Sequence, residues 1–313
     1  MSILFVGDVH ASSTDIKTRS DKSSETVLEK LEWVCLLAVK SGYSSVVFTG
    51  DFISGNNLST SYLLRLIALK KYNLKMYTIT GNHECLGDDY SSIPKSQISL
   101  LFESGLLSPL EYLSTSMGSV VGYNAYETED EFLKKISNVP KPITGLVVHH
   151  FLSELTPGQG SLYLSVKRLK DILPDLRYIV AGHDHTSYAN TDVSGVLVLR
   201  PGSLLRTSSI ITSNRDIRVC GFRDDTSLSV SDNFIDIVYN HALDYNSVFN
   251  KETDMIDKFA FDSISSLVAK FESSSAISVD PTTIFMSVLN SVKNEYSRDI
   301  IKADLKEHGF YDC

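Results

Sequence analysis

The chain has 313 residues, 42% of them hydrophobic, and a formal net charge of -9. That length accommodates one large α/β domain with an appendage, or two domains, and the hydrophobic content excludes a chain disordered throughout. The acidic balance excludes a general attraction to nucleic acid or to an anionic membrane, so binding of a phosphate polymer must rest on local positive groups or on bound cations.

A β-rich run at residues 3–6 ends at Gly7-Asp8. It is too short for a signal peptide and lacks a basic leading segment. No run of 18 or more apolar residues follows anywhere, so no membrane span is expected. Cys35, Cys85, Cys220 and Cys313 show no paired spacing and read as reduced thiols, which with the missing leader points to a cytoplasmic protein. After a polar stretch, Val27, Leu28, Leu31, Val34, Cys35 and Val39 recur at helical spacing. A strand at 45–49 ends at Gly50-Asp51, a helical pattern runs through Leu63, Leu64, Ile67 and Ala68, and a strand at 75–80 ends at Gly81-Asn82. Such β-α-β-α-β alternation predicts a sheet of parallel strands with helices on its faces, with any site at the carboxyl ends of the strands.

The second half is richer in strands, at 119–126, 145–148, 178–181, 196–199, 217–222 and 234–238. A second sheet is implied, and the predicted fold is a four-layer α/β/β/α sandwich over residues 1–240. Beyond it, 241–313 shifts towards Ser, Asp and Lys with amphipathic patterning. Asp280-Pro281 marks a helix start, and Ile284, Phe285, Val288, Leu289, Val292 and Tyr296 form one apolar stripe. This segment is predicted to be a helical C-terminal appendage.

The strand ends carry the chemistry. They read G-D-V-H with Asp8 and His10, G-D with Asp51, G-N-H-E with Asn82 and His83, H-H with His149 and His150, and G-H-D-H with His183 and His185. A strand places residues i and i+2 on one face, so Asp8 with His10, and His183 with His185, converge if their strands run on through them. Carboxylate, imidazole and amide oxygen without a cysteine suit Mn²⁺, Fe²⁺ or Zn²⁺. Seven candidate ligands exceed what one ion needs, whereas two ions can share them through Asp51.

These five motifs, in this order, resemble the calcineurin-like metallophosphoesterase superfamily. The resemblance implies two divalent ions, Mn²⁺ first and Fe²⁺, Mg²⁺ or Zn²⁺ as alternatives. It implies a first site of Asp8, His10, Asp51 and His185, and a second of Asp51, Asn82, His149 and His183, with His149 preferred over His150 because it directly follows the strand. It makes His83 the catalytic group that assists the leaving oxygen. Two cations so held activate a water and polarise a phosphoryl oxygen.

Substrate class rests on further segments. The arginines expected of a Ser/Thr protein phosphatase are missing from Gly50-Asp51-Phe52-Ile53 and from Thr80-Gly81-Asn82-His83-Glu84. Arg19-Ser20-Asp21 with Lys30-Leu31, and Arg200-Pro201-Gly202-Ser203-Leu204-Leu205-Arg206, resemble segments of SbcD-type DNA repair exonucleases. Arg200 stands where an aromatic is common there, and Val219-Cys220 replaces a usual lysine. That resemblance implies a DNA phosphodiesterase, Arg19 and Arg206 as phosphate contacts, and an appendage that caps DNA or docks on an SMC-like coiled-coil ATPase, or else joins a homodimer. The alternative is a small-molecule or cyclic nucleotide phosphodiesterase on the same core. A non-catalytic scaffold is disfavoured because no ligand is missing.

Overall fold

The computed structural model describes residues 1–153, 162–185, 188–207, 216–239 and 248–249. The predicted boundary at 240 and the apolar stripe of 284–296 lie outside the described residues. Strands and helices alternate first as β1 (Ser2–Val6), α1 (Ser23–Ser41), β2 (Ser45–Phe48), α2 (Thr60–Ile67), β3 (Lys75–Thr78), α3 (Ile98–Glu103) and β4 (Ser108–Pro109). There follow β5 (Tyr112–Thr115), β6 (Gly118–Tyr123), α4 (Glu129–Ile136), β7 (Ile143–His149), β8 (Phe151–Ser153), β9 (Tyr163–Ser165) and α5 (Val166–Ile172). The described elements close with β10 (Tyr178–Gly182), β11 (Tyr188–Val193), β12 (Val196–Arg200), β13 (Arg218–Arg223) and β14 (Phe234–Val238).

Two six-stranded sheets result, in the orders β14-β13-β1-β2-β3-β4 and β11-β12-β10-β7-β6-β5, beside a small β8-β9 pair. The run β1, β2, β3 is parallel, and so is the run β6, β7, β10, β12. Three of the four edge strands, β14, β11 and β5, pair antiparallel, and the fourth, β4, pairs parallel with β3.

Period-two alternation builds the layers. Leu4 and Val6 of β1 face a cluster with Val27, Leu31 and Val34 of α1, whereas Ile3 and Phe5 face a second cluster with Tyr178 and Val180 of β10. Ile179 and Ala181 of β10 turn the other way, onto Phe132 of α4 and Leu169 of α5. Helices, sheet, sheet and helices therefore stack as the predicted four-layer sandwich. One charged residue of α1 is buried: Lys30, which is 3% exposed.

Register aligns the strand tips. Val6 pairs with Phe48 and Phe48 with Thr78, while Gly182 pairs with His149. The loops carrying the motifs thus leave each sheet at one level. One expectation fails here: β1 stops at Val6 and β10 at Gly182, so neither strand runs through its Asp-x-His or His-x-His pair. No helix among the described residues is long and apolar enough to cross a membrane.

Candidate metal centre

Left-handed backbone sets three of the motif residues, whereas His149 is the last residue of β7. His10, Asp51 and His183 have φ of 52°, 46° and 73°, three of the seven non-glycine residues with positive φ among the described residues. That conformation costs an L-residue on the order of 1 kcal/mol and is tolerated best by short polar side chains. Main-chain bonds hold it in place: the N–H groups of Val9 and His10 donate to the Asp51 carbonyl at 3.1 and 2.8 Å. Gly50 has φ of 97°, and a Cβ there would stand 2.5 Å from His149 Nδ1. A Cβ on Gly182 would collide with the Thr49 carbonyl oxygen and crowd Asp8 Oδ1.

The result is a convergence of acceptors. Asp8, His10, Asp51 and His185 each offer a ligand atom, and the four atoms lie within 4.8 Å of one another. His10 Nε2 is 2.8 Å from His185 Nε2, which is 3.5 Å from Asp8 Oδ2. His149 donates from Nδ1 to the Thr49 carbonyl at 2.9 Å, so its Nε2 faces Asn82 Oδ1 at 3.0 Å and Asp51 Oδ2 at 3.2 Å. The His183 ring packs edge-on against His149, with centroids 5.0 Å apart. Imidazole nitrogens and carboxylate oxygens crowded within a few ångströms are what a divalent cation satisfies, so the residues present fit such ions.

A family model described as calcineurin-like phosphoesterase matches residues 1–187. The chain belongs to the calcineurin-like phosphoesterase family. No curated protein matches it in sequence. Among solved structures it is similar to a dimetal phosphatase from Danio rerio, with TM-score 0.49 and 13% identity over 77% of this chain and 99% of that one. It is also similar to a hypothetical protein from Thermus thermophilus, with TM-score 0.44 and 15% identity over 76% of this chain and 99% of that one. A third is the phosphoesterase Yfce from E. coli, with TM-score 0.37 and 16% identity over 77% of this chain and all of that one, 100%.

Charge in this phosphoesterase site follows from burial and from close carboxylates. Burial raises Asp8 to about 7, opposed by His149 and reinforced by Asp51. Burial also lifts Asp51, but His149, His10 and His83 outweigh it and hold its carboxyl below the usual range. Burial alone would lower His149, yet Asp51 and Asp8 push it up to about 10. The field therefore draws positive charge to His149 Nε2, and a metal ion can supply it in place of a proton. Burial lowers His10 and His183 to about 3 and also lowers His185, which keeps these imidazoles neutral and their lone pairs available.

The remaining candidates separate clearly. His83 is held by its backbone N–H on Asp51 Oδ1 at 2.9 Å, while its ring stays 44% exposed beside the buried group. His150 is buried against Tyr123 and away from Asp51, so His149 is the member of the pair that faces the centre. Arg19 Nε and Nη2 grip Asp21 at 2.7 Å each, and Nη1 donates to the Arg206 carbonyl at 2.6 Å. Arg206 is also buried.

Two features have no role in the motif pattern. The Glu84 carboxylate accepts from the N–H groups of Gly81, Asp51 and Ile53 at 2.6, 3.1 and 2.9 Å, tying the second and third motif loops together. Its place in G-N-H-E was the available signal, since a buried carboxylate needs donors. The loop after β6 also joins the rim: Asn124 Oδ1 accepts from Thr80 N–H, and Tyr126 has φ of 57°. No motif marks that loop.

Proposed function

We propose that this phosphoesterase is a two-metal phosphodiesterase acting on DNA, the nuclease subunit of an ATPase-linked repair or recombination complex. What supports two ions is the observation that Asp51 lies in both donor groups, within the four-atom cluster and 3.2 Å from His149. What supports DNA is the pair of nuclease-like segments, which pack on each other: Arg19 and Lys30 donate to the carbonyls of Arg206 and Leu204 at 2.6 and 2.9 Å.

Asp8, His10, Asp51 and His185 would hold one ion, and Asp51, Asn82, His149 and His183 the other. Oxygen and nitrogen donors without thiolate suit Mn²⁺. Bound there, the ions supply Lewis acidity towards a phosphoryl oxygen and lower the pKa of water. The chain does the rest. The Thr49 carbonyl fixes the tautomer of His149, and the His183 N–H holds Asp8 Oδ2 at 3.0 Å, so both stay aimed before substrate arrives. His83, on the open side, places a ring proton at the departing ester oxygen. The segment 241–313 caps the DNA, or docks its apolar stripe on an SMC-like ATPase or on a second copy of the chain.

One observation favours a second reading. A cavity of about 290 Å³ lined by His150, Phe151, Leu152, Asp184, Thr191 and Arg200 is close to the size of small-ligand sites. It suits a small-molecule or cyclic nucleotide phosphodiesterase. The test is a Mn²⁺-dependent assay of purified protein on end-labelled duplex DNA, bis-p-nitrophenyl phosphate and cyclic nucleotides. DNA cleavage abolished by EDTA is expected. Turnover of the small esters with DNA untouched, with or without an ATPase partner, overturns the nuclease reading in favour of the second.

A further inference from the structure

Behind the four-atom cluster lies a layer of contacts that none of the ligand motifs contains. Leu204 N–H donates to the Asp8 carbonyl at 2.7 Å, and Ser203 Oγ, whose one proton goes to the Leu205 carbonyl at 2.5 Å, stands 3.2 Å from the same Asp8 oxygen. Ser203 N–H donates to the His185 carbonyl at 3.1 Å. The loop after β12 therefore holds the main chain of two of the four clustered residues. The same loop is gripped from its far side. Lys30 Nζ, on the buried face of α1, donates to the Leu204 carbonyl at 2.9 Å, and Arg19 Nη1 donates to the Arg206 carbonyl at 2.6 Å. Asp21 fixes the Arg19 guanidinium through two bonds of 2.7 Å, and Thr26 Oγ1 donates to Asp21 at 2.6 Å.

The lysine stands where an apolar side chain would cost less. Burial and the neighbouring Arg19 and Arg206 cations push Lys30 down to about 7, against the pull of Asp21 and Glu29. Methionine has nearly the same length and no charge to desolvate, and well-packed apolar replacements of buried ions are commonly neutral or stabilising. Packing of α1 on the sheet does not need the amine. The amine donates to the Leu204 carbonyl and lies 5.9 Å from the centroid of the Tyr239 ring; of the two contacts, the bond is the one that reaches the loop.

We propose that Lys30, together with the Arg19–Asp21 pair, positions the first metal site by clamping the 203–206 loop against Asp8 and His185. The inference rests on the two-metal reading above and adds a remote residue to it. Lys30 touches neither ion nor substrate. It acts through one carbonyl, one peptide N–H and the main chain of Asp8.

Calorimetric titration of the full chain with Mn²⁺ tests this directly. Lys30→Met is expected to weaken one of two binding events by about tenfold, the lower range for loss of a supporting hydrogen bond around metal ligands. Lys30→Arg is expected to restore most of that loss. Asp21→Asn, which keeps the side chain's shape and one acceptor oxygen for Arg19, is expected to shift affinity the same way, and it carries the test if Lys30→Met does not fold. Val34→Ala removes core volume from the same helix without touching the loop; it should lower thermal stability and leave the isotherm unchanged. Isotherms of Lys30→Met and Asp21→Asn that superimpose on the wild type overturn the proposal. Equal weakening in Val34→Ala overturns it too, because stability alone would then explain the effect. A wild-type chain that takes up no Mn²⁺ overturns the two-metal reading itself.

Discussion

Asp8, His10, Asp51 and His185 bring four ligand atoms within 4.8 Å of one another, whereas Asn82, His149 and His183 gather around one ring, with His149 Nε2 3.0 Å from Asn82 Oδ1. The supports differ as well. The first group hangs on the main chain of a distant loop, through the Asp8 and His185 carbonyls. The second leans on its own members and on the Thr49 carbonyl. A remote change should therefore disturb the first group more than the second. Asp51 is the exception, since it touches both.

Substitutions at three positions put this contrast to the test. The largest effect is expected at Asp51: Asp51→Asn should abolish uptake of both ions and lower phosphodiesterase activity by more than about 10⁴-fold, equivalent to several kcal/mol of lost charge stabilisation. Metal stoichiometry by mass spectrometry checks it, and an Asp51→Asn protein that keeps two ions would erase the distinction between a shared residue and a private one. His83→Ala should come next, with a rate loss of ~10²–10⁴-fold and both binding events intact. A parallel loss of metal would place His83 among the ligands instead of at the leaving group.

The smallest effect belongs to pH. Lys30 is pushed from an ordinary value of 10.5 to about 7 in the fold. Between those two values the unfolded chain binds more protons than the folded one, so this group's contribution makes the protein more stable as pH rises. Denaturant titrations at pH 7 and pH 9 should show wild type gaining on the order of 2 kcal/mol relative to Lys30→Met over that interval. A gap that does not change with pH would mean that Lys30 keeps its proton in the fold across the interval.

The cluster of Asp8, His10, Asp51 and His185 was legible because the runs before those residues stop at glycine and a polar residue, and the strand registers bring the strand ends level. The reason for their convergence was not legible. Alternation along a strand suggested it, but His10 and His183 sit past the strand ends and turn inward through positive φ, a property set by the loops' main-chain bonds. Arg19 and Lys30 could be read as a motif, yet not as inward-facing, because the carbonyls they hold are 187 and 174 residues away. Edge strands such as β5 escaped as well. With two of its four residues exposed, β5 carries too little apolar signal to announce a strand.

The Thr49 carbonyl has a consequence for mutagenesis. An oxygen of the main chain is common to every amino acid, so a survey that exchanges side chains one at a time at position 49 leaves the partner of His149 Nδ1 in place. The address through which a substitution reaches that oxygen is on the other sheet, at Gly182, where any side chain would press on it. The choice of which imidazole nitrogen faces Asn82 and Asp51 is thus written in a residue that has no functional group at all.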